Sequence, residues 1–126
     1  MTIYWASQHE PLASQVRALE AAAGEPCEIL RDPRPFDSAQ HIAERYAASK
    51  ADDIVVVAPL SVLDRLCRLG IHPIWCDMDT VRGPHDGGEV HARGRWYAFR
   101  GLKRVARLAL EFEDGPVVIT SKGRQS

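Results

Sequence analysis

Two short runs of this 126-residue chain carry side chains that could do chemistry together: Ser7-Gln8-His9-Glu10 and Pro59-Leu60-Ser61. Between them they offer two hydroxyls, an amide and an imidazole. Hydroxyl and amide groups can hold phosphate oxygens or a ribose, and imidazole is the side chain best suited to moving a proton near neutral pH. Each run also has a structural explanation. Ser61 reads as a helix cap, with Asp64 three residues on as a shortened capping-box partner. His9 also suits an exposed loop, and Ser7 and Gln8 also suit the end of a strand.

Other constellations are weaker. His85, Asp86, Glu89 and His91 surround a glycine-rich stretch, but their spacing matches no common zinc pattern, and no metal is expected. Trp96, Tyr97 and Phe99 are interleaved with Arg93, Arg95 and Arg100. Such a mixture can stack on bases and pair with phosphates, or it can fill a core or a dimer interface. No G-x-x-x-x-G-K-[ST], G-x-G-x-x-G or G-x-S-x-G occurs, which argues against a P-loop ATPase, a typical dinucleotide enzyme and an α/β-hydrolase.

The elements that must position the two runs follow from periodicity. Thr2 to Ala6 is short, β-branched and aromatic, as in a strand. Pro11 suits a first helical position, Leu12, Val16 and Leu19 recur at helical spacing, and Gly24 closes that helix. Cys27 to Leu30 is a second strand. Asp37 or Ser38 caps a second helix with the apolar stripe Ala39, Ile42, Ala43 and Tyr46. Ile54 to Ala58 is an unbroken apolar run, which implies burial on both faces. A third helix runs from Ser61 to Gly70, and Ile71 to Cys76 is a fourth strand.

This alternation predicts an α/β fold: a Rossmann-like parallel sheet of order 2-1-3-4 flanked by helices. Open sheets of this kind bind ligands beyond the carboxyl ends of their strands, where the strand order reverses. For this order the reversal lies between the first and third strands. Both runs would meet there, each leading into a helix N-terminus that attracts anions.

The pattern changes after residue 80. Asp79 to Gly88 reads as a loop, Arg93 to Arg100 as a strand and Gly101 as a turn. Ala106 to Phe112 alternates like a strand, although Leu102, Val105, Ala109 and Phe112 also fit a helix. Asp114-Gly115 reads as a hairpin turn before a last strand, Pro116 to Thr120. The expectation is one domain, with a parallel core over residues 1–80, a β-rich extension ending in a hairpin over 81–120, and a tail over 121–126.

Sixteen basic residues against seventeen acidic ones leave a net charge of -1. That gives no bulk attraction to an anionic membrane or to duplex DNA, and neither is expected as a partner, although basic residues dominate from Arg82 to Arg107. Three cysteines, odd in number and without a C-x-x-C pair, fit reduced thiols. No targeting run appears, and no stretch approaches the about 18 apolar residues of a membrane span. The expected location is cytoplasmic.

The opening TIYWASQHEPLASQ resembles the start of the small CRISPR-associated proteins of type III systems, a strand followed by a histidine-proline loop. DDIVVVAPLSVLDRLCRLGIHPIWCDMD resembles their second signature: a strand, a proline turn, a helix ending in glycine, and a strand containing tryptophan. The resemblance covers about the first 80 residues. Glu10 stands between His9 and Pro11, which departs from the pattern, and Arg93–Phe112 has no counterpart. The resemblance implies a CARF-like domain acting as a ring nuclease. Such a protein forms a homodimer, needs no cofactor, and degrades cyclic oligoadenylate, here cyclic tetra-adenylate, by metal-independent attack of a ribose 2′-OH. It implies His9 and Ser7 as catalytic residues. Gln8, Pro59, Leu60, Ser61, Arg31 and Arg95 would bind the ligand, Ser7 and Ser61 holding the phosphate and Arg31 or a basic residue after Arg93 supplying charge. A non-catalytic cyclic-nucleotide sponge or sensor is the alternative, and a protein-interaction domain a further one.

Overall fold

The computed structural model of the chain describes residues 1–109, 114–117 and 119. The elements are β1 (Thr2–Ala6), α1 (Ala13–Ala23), β2 (Glu28–Arg31), α2 (Ala39–Ser49), β3 (Asp53–Val56), α3 (Leu60–Arg68), β4 (Ile74–Val81), a 3₁₀ turn (Pro84–Asp86), β5 (Val90–Ala92) and β6 (Arg95–Arg104). Six strands form one sheet in the order β2-β1-β3-β4-β6-β5. The first four are parallel neighbours, so the expected 2-1-3-4 core is present.

Strand periodicity divides the core into two halves. Ile3, Trp5 and Val55 pack with Leu19 of α1 on one face of the sheet. Tyr4, Ala6, Ile54 and Val56 pack with Ile42 of α2 and Leu63 and Leu66 of α3 on the other. Alternate residues of one strand therefore serve opposite helix layers. Burying each large apolar side chain here contributes about 1.5–3 kcal/mol.

Helix starts differ from expectation at two of three places. Ser38 caps α2 as expected, its Oγ accepting from His41 N at 3.2 Å. Pro11 lies before the cap residue Leu12, not at the first helical position. The Leu12 N–H is met instead by Oε1 of the buried Gln15 at 2.8 Å. The cap of α3 is Pro59 and not Ser61. The Pro59 carbonyl accepts from Val62 and Leu63, so helical bonding begins before Ser61, which lies inside the first turn and does not cap it. Asp64 pairs with Arg68 at 3.0 Å.

The second half corrects several boundaries. β4 continues to Val81, beyond the expected Cys76, because β6 pairs antiparallel along it. Gly101 is no turn: it lies inside β6 opposite Asp77. The register then skips from Gly101 to Phe99, which leaves Arg100 as the extra residue of a bulge. The described residues hold one hairpin of the extension, β5–β6, closed by Arg93 and Gly94 with φ of 53° and 75°. Two successive positive φ values match the twist of a two-residue hairpin. Residues 106–109 form no regular element, nor do Pro116, Val117 and Ile119. The rest of the two expected late strands, and the tail at 121–126, lie outside the described residues.

Arg104 fastens this antiparallel extension to the parallel core. Its Nη1 and Nη2 each donate to one carboxylate oxygen of Asp53 at 2.7 Å, and Nη1 also reaches the His72 carbonyl at 2.9 Å. Burial alone would raise the Asp53 carboxyl, but the guanidinium and the Ile54 N–H outweigh it and hold the group below the usual range.

Candidate functional site

Parallel pairing of β1 with β2 and β3 brings three chain segments together at their carboxyl ends. Ser7, Gln8 and His9 follow β1, Asp32, Arg34, Pro35 and Phe36 follow β2, and Val57 follows β3. With Ile42 and Arg45 of α2 they line a cleft of about 250 Å³.

The loop after β1 is held at three points. Trp5 Nε1 donates to the His9 carbonyl at 2.8 Å, and His9 N donates to Ser7 Oγ at 3.1 Å. Arg31 donates to the Gln8 carbonyl at 3.0 Å and pairs with Glu10 at 3.4 Å. Trp5 and Ser7 are buried, whereas Gln8 and His9 are exposed. The backbone is thus fixed while two side chains stay accessible to a ligand. The buried Ser7 oxygen accepts from His9 N and still has its O–H proton and a second lone pair to offer.

The opposite wall is built around Asp32, a carboxylate only 8% exposed. The Tyr4 hydroxyl donates to its Oδ2. Arg34 grips it through Nε at 2.8 Å and Nη2 at 2.7 Å, a two-pronged pair. Arg45 approaches Oδ2 at 3.9 Å and donates to the carbonyls of Arg34 and Pro35 at 3.3 and 2.9 Å. Arg34 holds the Asp32 carboxyl far below the usual range. Burial opposes that shift, and the Tyr4 hydrogen bond adds to it. Tyr4 is pushed up to about 12, first by burial and then by its hydrogen bond to the anion. It therefore remains a protonated donor. One acid and two arginines leave a net positive charge on this wall.

Only part of the expected site converges. Ser7, Gln8 and His9 line the cleft, while Pro59, Leu60 and Ser61 do not: the third segment contributes Val57 instead. Arg31 supports the loop after β1 and does not line the cleft either. Arg95 stands at the start of β6 beside the hairpin turn, with β3, β4 and β6 following β1 in the sheet order. No family model, curated protein or solved structure matches this chain. The cleft must therefore be judged on its own chemistry.

Asp32, Arg34 and Arg45 were not among the sequence candidates. The segment Asp32-Pro33-Arg34-Pro35 shows there only as a strand breaker. An acid and an arginine on a rigid proline frame beyond a β2-type strand was the signal available.

The remaining polar clusters have structural partners. Glu89 accepts from Phe99 N at 2.9 Å and from Ser14, and His91 stacks on Trp96 with centroids 5.0 Å apart. Asp77 and Asp79, two residues apart on β4, pair with Lys103 and Arg100 respectively. Cys27, Cys67 and Cys76 are unpaired thiols. Among the described residues, no helix is long and apolar enough to cross a membrane.

Proposed function

We propose that this chain is a CARF-like domain that binds cyclic oligoadenylate, with cyclic tetra-adenylate as its ligand, and opens the ring to switch off type III CRISPR signalling in the cytoplasm. The observation that carries this reading is the cleft itself. It faces the Ser7–His9 loop with an arginine wall and adds the apolar surfaces of Phe36 and Val57. A phosphodiester needs donors and positive charge, and an adenine needs apolar surface. In a homodimer a two-fold ring would span two such clefts.

On this reading a ribose 2′-oxygen attacks the adjacent phosphorus, and the bond from phosphorus to the 5′-oxygen breaks. The products are a 2′,3′-cyclic phosphate and a 5′-hydroxyl. The proton leaves the 2′-OH, and the 5′-oxygen takes one up. His9 assists that transfer. Ser7 and Gln8 orient the ribose and phosphate, and Arg34 stabilises charge on the phosphoryl oxygens.

One observation favours the sponge reading: among the described residues no basic side chain is hydrogen-bonded to Ser7 Oγ, whose bond is from the His9 N–H. The test is incubation of the purified protein with cyclic tetra-adenylate. Wild type should yield linear fragments with cyclic phosphate ends, and His9→Ala should slow this by about 10²–10⁴-fold. A ring that stays bound but intact selects the sponge. A ring that does not bind overturns both readings.

A further inference from the structure

The cleft does not end at Arg34. On the far side of that residue a wider groove of about 580 Å³ runs along α2, lined by His41, Glu44, Ala48 and Ser49. Tyr4, Arg34 and Arg45 line both spaces. The two are therefore adjoining compartments separated by one arginine ridge.

The ridge is built to present a cation. The Arg34 side chain is 67% exposed although its guanidinium is clamped. Nε and Nη2 are on Asp32, and among the described residues Nη1 meets no protein acceptor. Arg45 is different. Its side chain is 16% exposed and its nitrogens hold the Arg34 and Pro35 carbonyls and the His41 ring. Arg45 thus fixes the turn that carries Arg34, while Arg34 offers the free N–H groups. Asp32 and Tyr4 act through Arg34 and are positioning residues.

Each compartment adds one acid to the shared arginines, Asp32 in the inner cleft and Glu44 in the outer groove. The inner cleft has Ser7, Gln8 and His9 opposite the ridge. The outer groove has Glu44 as the one acid among its lining residues.

We infer that the two compartments are subsites for two adjacent units of one 3′,5′-linked oligonucleotide, with the linking phosphate seated on Arg34. This rests on the reading of the cleft as a cyclic oligoadenylate site and deepens it. The recognition unit is a dinucleotide step and not a single nucleotide. Arg34 is its specificity-determining cation, because only a linking phosphate can reach the ridge from both sides.

The test is calorimetric titration with three probes: adenosine 5′-monophosphate, a linear 3′,5′-linked diadenosine monophosphate, and cyclic tetra-adenylate. Ala48 is exposed on α2 and touches the outer groove alone. Ala48→Trp should fill that groove without disturbing the fold, as thermal melting will verify. The dinucleotide should bind wild type at least about tenfold tighter than the mononucleotide. Ala48→Trp should remove that advantage and leave mononucleotide binding unchanged, and Arg34→Ala should weaken both. Equal binding of the two linear probes overturns the inference, as does a dinucleotide indifferent to Ala48→Trp. If cyclic tetra-adenylate still binds in either case, the cyclic oligoadenylate reading survives without the two-compartment one. If no probe binds wild type, both fall.

Discussion

The Tyr4 hydroxyl donates a hydrogen bond to Oδ2 of Asp32, joining the middle of β1 to the residue that follows β2. Both groups are buried. The tyrosine ring belongs to the core between the sheet and α2, and its centroid lies 6.1 Å from that of Tyr46. Its oxygen reaches the cleft wall. One side chain thus couples core packing to the placement of a carboxylate, and that carboxylate orients Arg34.

Replacing Asp32 should therefore cost stability as well as ligand binding. Asp32→Ala leaves the buried Tyr4 hydroxyl without its acceptor, a loss of about 2 kcal/mol. Asp32→Asn keeps an acceptor and should lose less. Urea denaturation measures both, and an Asp32→Ala protein as stable as wild type would contradict the role given to this carboxylate.

Stability should fall at both ends of the pH scale, for opposite reasons. Asp32 is lowered in the folded chain, so its contribution is present above the unfolded carboxyl value of about 3.9. It is lost progressively as pH falls below that value toward the lower folded one. Tyr4 is raised to about 12. Its contribution is present below the unfolded value of about 10 and is lost between there and about 12. Tyr4→Phe should flatten its share of the alkaline slope above about 10, while Cys76, raised by burial to about 11, keeps its own. Tyr46, also raised by burial, leaves a smaller one. Unchanged alkaline slope in Tyr4→Phe would refute the assignment.

The fork of Arg104 on Asp53 should behave as a coupled pair. Asp53 is a quarter exposed and Arg104 about half, so solvent screens much of the attraction. A double-mutant cycle with Asp53→Asn and Arg104→Gln should give a coupling of about 1 kcal/mol, reduced by salt. Strict additivity would mean that the fork adds nothing to the other contacts that hold the extension to the core.

Two glycines near the hairpin should respond differently to alanine. At Gly88 a Cβ would lie 2.7 Å from the Gly83 carbonyl oxygen and 2.9 Å from Trp96, so backbone must move. At Gly94 the space is open and only the positive φ of 75° opposes the change, at a cost of about 1 kcal/mol. Gly88→Ala should lower the melting temperature further than Gly94→Ala, and the reverse order would show that the turn can relax around residue 88.

The parallel core was legible because its signals are local. Thr2–Ala6 and the apolar run beginning at Ile54 have the composition of strands buried on both faces, and Gly24 and Gly70 mark helix ends. The extension was less legible. Gly101 carries a turn signal, but pairing along eight residues of β4 absorbs it as a bulge beside Arg100. Arg93-Gly94 makes the hairpin through an arginine in a left-handed conformation, which composition does not announce. Strand order led to the carboxyl end of β1, where the cleft lies. Which second loop meets it depends on α2, whose Ile42 and Arg45 close the cleft over the Asp32–Phe36 segment. That packing is not written in any one stretch, and so Pro59–Ser61 looked equivalent.

The most direct test of the account is calorimetric titration of wild type and Arg34→Ala with cyclic tetra-adenylate at fixed ionic strength, with both proteins shown to be folded. The account predicts saturable binding to wild type, one ring per two chains, weakened at least about tenfold in Arg34→Ala. Absence of binding to wild type, or equal affinity in the two proteins, would contradict it.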